Sequence, residues 1–177
     1  MVHIAKKYAE SLFEVSRDNG VQESVHADLQ QIKQAVNGSK AYQLFTEDPK
    51  VSTDARIQFV KDTFNGVDQP LLNLLQILAE RKHLNLVSEI ADNYEFYYNE
   101  YNEQQYMKVE SVYPLSSDEL DAIGQSFINR TGYKKLLLEN IINPELIGGI
   151  RATIGTTVYD GSIQNELKQI EKSFHQQ

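Results

Sequence analysis

Apolar residues recur every three to four positions through the first hundred residues, the period of helices with one buried face. This pattern predicts a first helix over Val2–Asp18 and a second over 21–36. On the second, Val21, Val25, Leu29, Ile32 and Val36 fall within about 80° of one another at 100° per residue, a narrow core-facing stripe. A short helix is expected over 42–45, ending before Asp48-Pro49 because the residue preceding a proline avoids the helical region. Ser52 is placed to cap a fourth helix that ends near Gly66. Asp68 is placed to cap a fifth over 70–82, with Pro70 in its first turn. A sixth, over 84–103, carries Val87, Ile90, Ala91, Tyr94, Tyr97, Tyr98 and Tyr101 on one face. Gly20, Gly38 and Gly66 each follow a helical stretch, as helix C′ residues do.

After residue 105 the period changes. Residues 107–113 alternate roughly as a strand. Ser116 and Glu119 have capping-box spacing for a helix ending near Gly132. A second strand is expected over 133–141, and a hairpin over 147–153 and 156–160 around Ile154-Gly155. The last helix starts near Ser162 with Ile163, Leu167, Ile170 and Phe174 in one stripe. The expected fold is mainly α: a six-helix bundle over 1–105, then a small α+β module over 106–177 with a β-hairpin and a terminal helix.

Composition narrows the function classes. The 177 residues include 17 basic and 25 acidic side chains, a net charge of −8 that disfavours a phosphate backbone as partner. With no cysteine there is no disulfide, thiolate metal site or cysteine nucleophile. No apolar run approaches the roughly 20 residues that span a bilayer, and Met1–Lys7 lacks an uninterrupted apolar signal core. An intracellular protein without nucleic-acid binding or direct membrane insertion is expected.

Candidate chemistry is sparse. The phosphate-binding Gly-x-x-x-x-Gly-Lys-Ser/Thr pattern, the dinucleotide Gly-x-Gly-x-x-Gly and the nucleophile-elbow Gly-x-Ser-x-Gly do not occur. Glu23/His26 and Glu80/His83 are two Glu-x-x-His pairs on expected helices, the signature of di-iron carboxylate bundles. Such ligands must point into the core. At 3.6 residues per turn, Glu23 lies about 160° and His26 about 100° from the centre of their helix's apolar stripe. Glu80 sits mid-way along a polar face, so all four read as surface residues. Gly148-Gly149 reads as a bulge or tight contact in a hairpin strand rather than a phosphate loop. No cofactor, catalytic group or metal site is expected.

One feature exceeds what a small bundle needs. The apolar positions Leu71, Leu72, Leu74, Leu75, Ile77, Leu78 and Ala79 span about 220° of the fifth helix, and Ile4 to Val15 about 180° of the first. A surface helix needs a stripe of ~100° or somewhat more. Two explanations stand side by side: the fifth helix is central, or the excess width lines a groove. The groove would have Leu74 and Ile77 on one edge and Ile4, Tyr8 and Ser11 on the other, and would take an amphipathic helix of another protein.

Three segments in order carry a family resemblance: Ala5-Lys6-Lys7-Tyr8-Ala9-Glu10-Ser11-Leu12-Phe13, Leu78-Ala79-Glu80-Arg81-Lys82-His83-Leu84, and Asn143-Pro144-Glu145-Leu146-Ile147-Gly148-Gly149-Ile150-Arg151 leading to Val158-Tyr159-Asp160-Gly161-Ser162. The chain resembles, over its whole length, the delta subunit of bacterial F-type ATP synthase, related to the mitochondrial oligomycin-sensitivity-conferring protein.

The resemblance implies a non-catalytic subunit on the cytoplasmic face of the cell membrane, joining the catalytic head to the peripheral stalk against rotor torque. Its helical domain would bind the N-terminal helix of an alpha subunit in a groove between its first and fifth helices, through Tyr8, Ser11, Leu74 and Ile77. Its C-terminal module would contact the C-terminal ends of the b subunits, with Gly149 as a motif glycine that shapes the hairpin. Ser11 stands where the family usually has alanine, and Arg81 where it usually has asparagine. The alternatives are a cytosolic helix-binding adaptor unrelated to the synthase and a di-metal carboxylate bundle enzyme.

Overall fold

The computed structural model describes the backbone of residues 2–174 and the side chains of residues 3–168. The chain divides between Tyr98 and Asn99 into two compact units.

The first unit is helical: α1 (Val2–Asp18), α2 (Gln22–Asn37), α3 (Lys40–Glu47), α4 (Thr53–Thr63), α5 (Gln69–Glu80) and α6 (Val87–Tyr101), the last running one turn past the division. The stripe of α2 is buried as read, with Val25, Leu29, Ile32 and Val36 all in the core. Ala5, Ala9, Leu12 and Phe13 of α1 and Leu71, Leu74, Leu75, Leu78 and Ala79 of α5 join them. So do Val87, Ile90, Ala91 and Tyr94 of α6, while Tyr97 and Tyr98 pack against this core half-buried. The Tyr94 hydroxyl shares a 2.6 Å hydrogen bond with Ser16 Oγ and donates to the Gln22 carbonyl; burial pushes its pKa up to about 12.

Several local expectations are corrected. The third helix is longer than 42–45, because the Ser39 hydroxyl accepts from the Tyr42 amide and opens it at Lys40. Ser52 caps α4 through the Ala55 amide, but α4 stops at Thr63. The Asp68 side chain does not cap α5; it accepts a hydrogen bond from the Ser24 hydroxyl instead. Residues 84–86 form a separate 3-10 turn, Leu84–Leu86, ahead of α6. Of the three glycines, Gly20 is left-handed (φ 71°) and closes α1, with its own amide and that of Val21 reaching back to Arg17 and Ser16. Gly38 has φ −84°, and Gly66 is not left-handed. Lys82 takes that role at the end of α5, at φ 57°.

Arg56 of α4 is 1% exposed. Its guanidinium donates to the Thr46 carbonyl at 2.9 Å and the Asp48 carbonyl at 2.7 Å, and lies 5.7 Å from the Phe45 ring centroid. A buried cation thus meets the negative end of the α3 macrodipole and satisfies carbonyls that the helix leaves free. Arg56→Met is expected to cost about 2–4 kcal/mol, because two carbonyls lose their donor. Urea unfolding of the full chain checks this.

The second unit is an α+β sandwich: β1 (Gln104–Ser111), α7 (Ser117–Thr131), β2 (Lys135–Ile142), β3 (Gly149–Ile154), β4 (Thr157–Ser162) and α8 (Ile163–Phe174). The sheet order is β2-β1-β3-β4, with β1 and β2 parallel and the other pairs antiparallel. Parallel neighbours need a crossover, which α7 supplies. The Ser116–Glu119 capping box starts α7 as read. Met107, Val109, Leu136, Ala152 and Ile154 form the core, against which Leu120, Ile123, Phe127 and Ile128 of α7 pack. In α8, Ile163 and Leu167 are 44% and 54% exposed; the side chains of Ile170 and Phe174 lie outside the described residues.

Candidate partner-binding site

The helices α1 and α5 pack directly, the start of α1 lying near the end of α5. The Tyr8 ring meets His83, just past α5, edge-on at a centroid distance of 6.3 Å. Ala5 and Ala9 of α1 are both fully buried in the core of this unit. With that seam closed, the residues turned one step outward on α1 are Ile4 (42% exposed), half-buried Tyr8, and exposed Ser11 and Val15. On α5, Ile77 is 40% exposed and Leu74 only 8%. The five residues expected at the site therefore differ in depth. Leu74 belongs to the core and can form at most the floor, while Ile4, Tyr8, Ser11 and Ile77 reach the surface.

Val15, which the sequence reading counts in the apolar arc of α1 but not at the groove edge, continues the line of Ile4, Tyr8 and Ser11 by one turn at the same three- to four-residue spacing. The flanking positions Lys7, Glu14, Glu80 and Arg81 are exposed and charged with both signs. This edge is thus an apolar strip about three turns long with a polar rim, the composition of a protein–protein contact rather than of a catalytic pocket.

The Glu-x-x-His pairs go elsewhere. Glu23 and Glu80 are exposed. His26 stacks flat on Tyr98 at 4.3 Å, and among the described residues no three His, Asp or Glu side chains gather as a metal-binding group. Burial holds the His26 pKa below its ordinary value, opposed by the nearby Glu95 carboxylate. The unfolded chain therefore binds a proton at His26 more readily than the folded one, and stability falls as pH drops from above about 6.5 through the folded pKa. His26→Phe keeps the stack and is expected to lessen the loss of melting temperature between about pH 7.5 and pH 5.5. Thermal melts at both pH values test it.

Comparison with known proteins assigns the family. The family model described as "ATP synthase delta (OSCP) subunit" matches residues 4–174. The chain is 63% identical over 177 residues to the ATP synthase subunit delta of Macrococcus caseolyticus, covering 100% of both. The chain belongs to the ATP synthase delta (OSCP) subunit family. It is also 44% identical over 176 residues to the ATP synthase subunit delta of Staphylococcus carnosus, covering 98% of both. Its fold is similar to that of a chain in the Toxoplasma gondii mitochondrial ATP synthase hexamer, with a TM-score of 0.69 and 22% identity over 96% of each chain.

In this delta-family chain the 143–151 motif builds the junction of β2 with β3. The Asn143 amide donates to the Ser111 carbonyl and its side chain to Glu110 Oε2 at 2.6 Å. Arg151 lies 3.6 Å from Glu110 and 3.2 Å from Asp160, on the sheet face opposite α7. Hydrogen bonds from Ser162, and then Arg151, hold the Asp160 carboxyl below the usual carboxylate range. Leu146 is buried, whereas Ile147 is 67% exposed. Gly149 begins β3 opposite Ser162 with φ 76°, and the Ile163 amide donates to the Gly148 carbonyl at 3.0 Å. That hydrogen bond sets the start of α8 beside Ile147 and Gly148.

Proposed function

We propose that the strip formed by Ile4, Tyr8, Ser11, Val15 and Ile77, floored by Leu74, seats the amphipathic N-terminal helix of a catalytic-head alpha subunit. As a member of the delta (OSCP) family, the chain is a non-catalytic, peripheral-stalk subunit of an F-type ATP synthase. The observation that carries the finer reading is the exposure of the apolar residues Ile4, Val15 and Ile77 along one edge of the α1–α5 pair, beside the buried core of the unit. An apolar seat suits a joint that must stay closed under torque, since packed contacts act mainly on the off-rate.

The second unit is proposed to meet the C-terminal ends of the stalk's b subunits through Tyr113 and Ile147, which line one shallow cavity, and through neighbouring Ile163 and Leu167. These four side chains are 44–67% exposed. Among the described residues no helix is long and apolar enough to cross a membrane. Association with the cytoplasmic face of the cell membrane would therefore run through the rest of the synthase.

Calorimetric titration of the full chain with a peptide of about 20 residues from the N-terminus of the cognate alpha subunit tests the first contact. One-to-one binding with a negative heat-capacity change is expected from apolar burial. No heat from a folded chain overturns the assignment.

A further inference from the structure

A cavity of about 450 Å³ is lined by α2, α3 and α4, with no residue of α1 or α5 in its wall. Its wall is aromatic: Phe59 sits at the centre, with ring centroids 4.8 Å from Phe45, 6.0 Å from Phe64 and 6.2 Å from Tyr42. It opens to solvent, and Ala35 and Ala41 line it from exposed positions.

Of the polar groups in the wall, Tyr42 and Ser39 are turned to other tasks, and Thr63 contributes one further hydroxyl. The Tyr42 hydroxyl donates to the Leu84 carbonyl at 2.7 Å, and burial holds its proton on well above the ordinary phenol range. The Ser39 oxygen accepts from the Tyr42 amide to cap α3. None of the lining residues is an acid, a lysine, an arginine or a histidine.

Such a wall has little to offer a charge or a water network, because a polar guest would give up hydration without replacement. An apolar cavity of about 150 Å³ is benzene-sized. This one has roughly three times that volume, within the range of small-molecule sites. The rings around Phe59 meet at tilted and edge-on angles, which favours a further aromatic ring as guest.

We propose that the α2–α4 cavity is a binding site for an uncharged aromatic small molecule of two or three linked or fused rings. It is independent of the alpha-helix seat, and nothing in the joint's mechanical role requires it. Occupancy would tie α3, the shortest helix of the bundle, to α2 and α4.

The test uses N-phenyl-1-naphthylamine, an uncharged three-ring fluorophore, titrated into the full chain. The expected result is saturable, one-to-one fluorescence enhancement. Ala41→Trp and Ala35→Trp place an indole in the mouth from exposed positions, and each is expected to weaken binding at least about tenfold with the helical circular-dichroism spectrum unchanged. If one variant fails to fold, the other decides. Ile77→Asp, on a helix that contributes nothing to the cavity wall, is expected to leave probe binding unchanged. Absence of saturable binding, equal binding by the folded tryptophan variants, or loss of binding in a folded Ile77→Asp protein would each overturn the proposal.

Discussion

Ile77→Asp is expected to abolish measurable binding of the alpha-subunit peptide while leaving the melting curve of the chain unchanged, and Leu74→Asp to unfold the helical unit. The two residues lie three positions apart on α5, and the fractional exposures of 40% and 8% separate their fates. At Ile77 a carboxylate keeps its hydration in the free protein. In the complex it would be driven into the apolar face of the partner helix, a change on the scale of interface hot spots, about 2–4 kcal/mol or roughly 30- to 1,000-fold in affinity. At Leu74 the same carboxylate is carried into the core beside Leu71, Leu75 and Leu78. Loss of the leucine alone costs about 2–5 kcal/mol, and burying an unpaired carboxylate adds to that, which together approach the stability of a whole domain. Calorimetry and thermal circular dichroism on both variants separate the outcomes. Wild-type affinity in a folded Ile77→Asp protein would reject the α1–α5 seat.

This contrast marks where the sequence stops being legible. The 3.6-residue period identifies Leu74 and Ile77 equally as apolar, and it places α1 and α5 as helices with too much apolar surface. Which of the two is covered depends on how the neighbouring helices pack around α5 in three dimensions, which the period along one helix does not report. The α2 stripe and the Ser116–Glu119 box were legible because each is a local pattern with one solution. The 3-10 turn at Leu84–Leu86 was not. Leu84, Leu86 and Val87 are all buried, so the apolar pattern runs unbroken through the change of helix type. Lys82 was equally hidden, since a lysine gives no sign of a left-handed backbone. Arg56 reads in the sequence as one more charged residue on a helix. Its burial follows from the free carbonyls at the end of α3, a partner ten and eight residues away that no periodicity reports.

Gly149→Ala is expected to open the second unit, whereas Gly148→Ala one residue earlier is expected to be mild. Gly149 has φ 76°, a region that an alanine enters at a cost of about 1–2 kcal/mol. Space is the larger obstacle. A Cβ at this position would collide with the Gly161 carbonyl oxygen and come within 3.1 Å of Ser162 Cα. Both obstacles are backbone of β4, the strand that pairs with β3 from Gly149↔Ser162 onward, so relief requires the ladder to part at its first rung. At Gly148 the added carbon meets Ile163 Cδ1 at 2.7 Å, the free end of a flexible side chain that is 44% exposed and has room to turn aside. A cost of at least about 3 kcal/mol is therefore expected for Gly149→Ala and less than about 1 kcal/mol for Gly148→Ala. Amide hydrogen exchange resolves the two units. In Gly149→Ala the amides of β3 and β4 should lose protection while those of α2 and α5 keep it. Because Ile163 follows β4 directly and is bonded to Gly148, the same opening would displace the start of α8 and, with it, the surface proposed to meet the stalk. Protection of β3 and β4 equal to wild type would show that the strands yield enough to house a methyl group, and that the hairpin's geometry does not require glycine here.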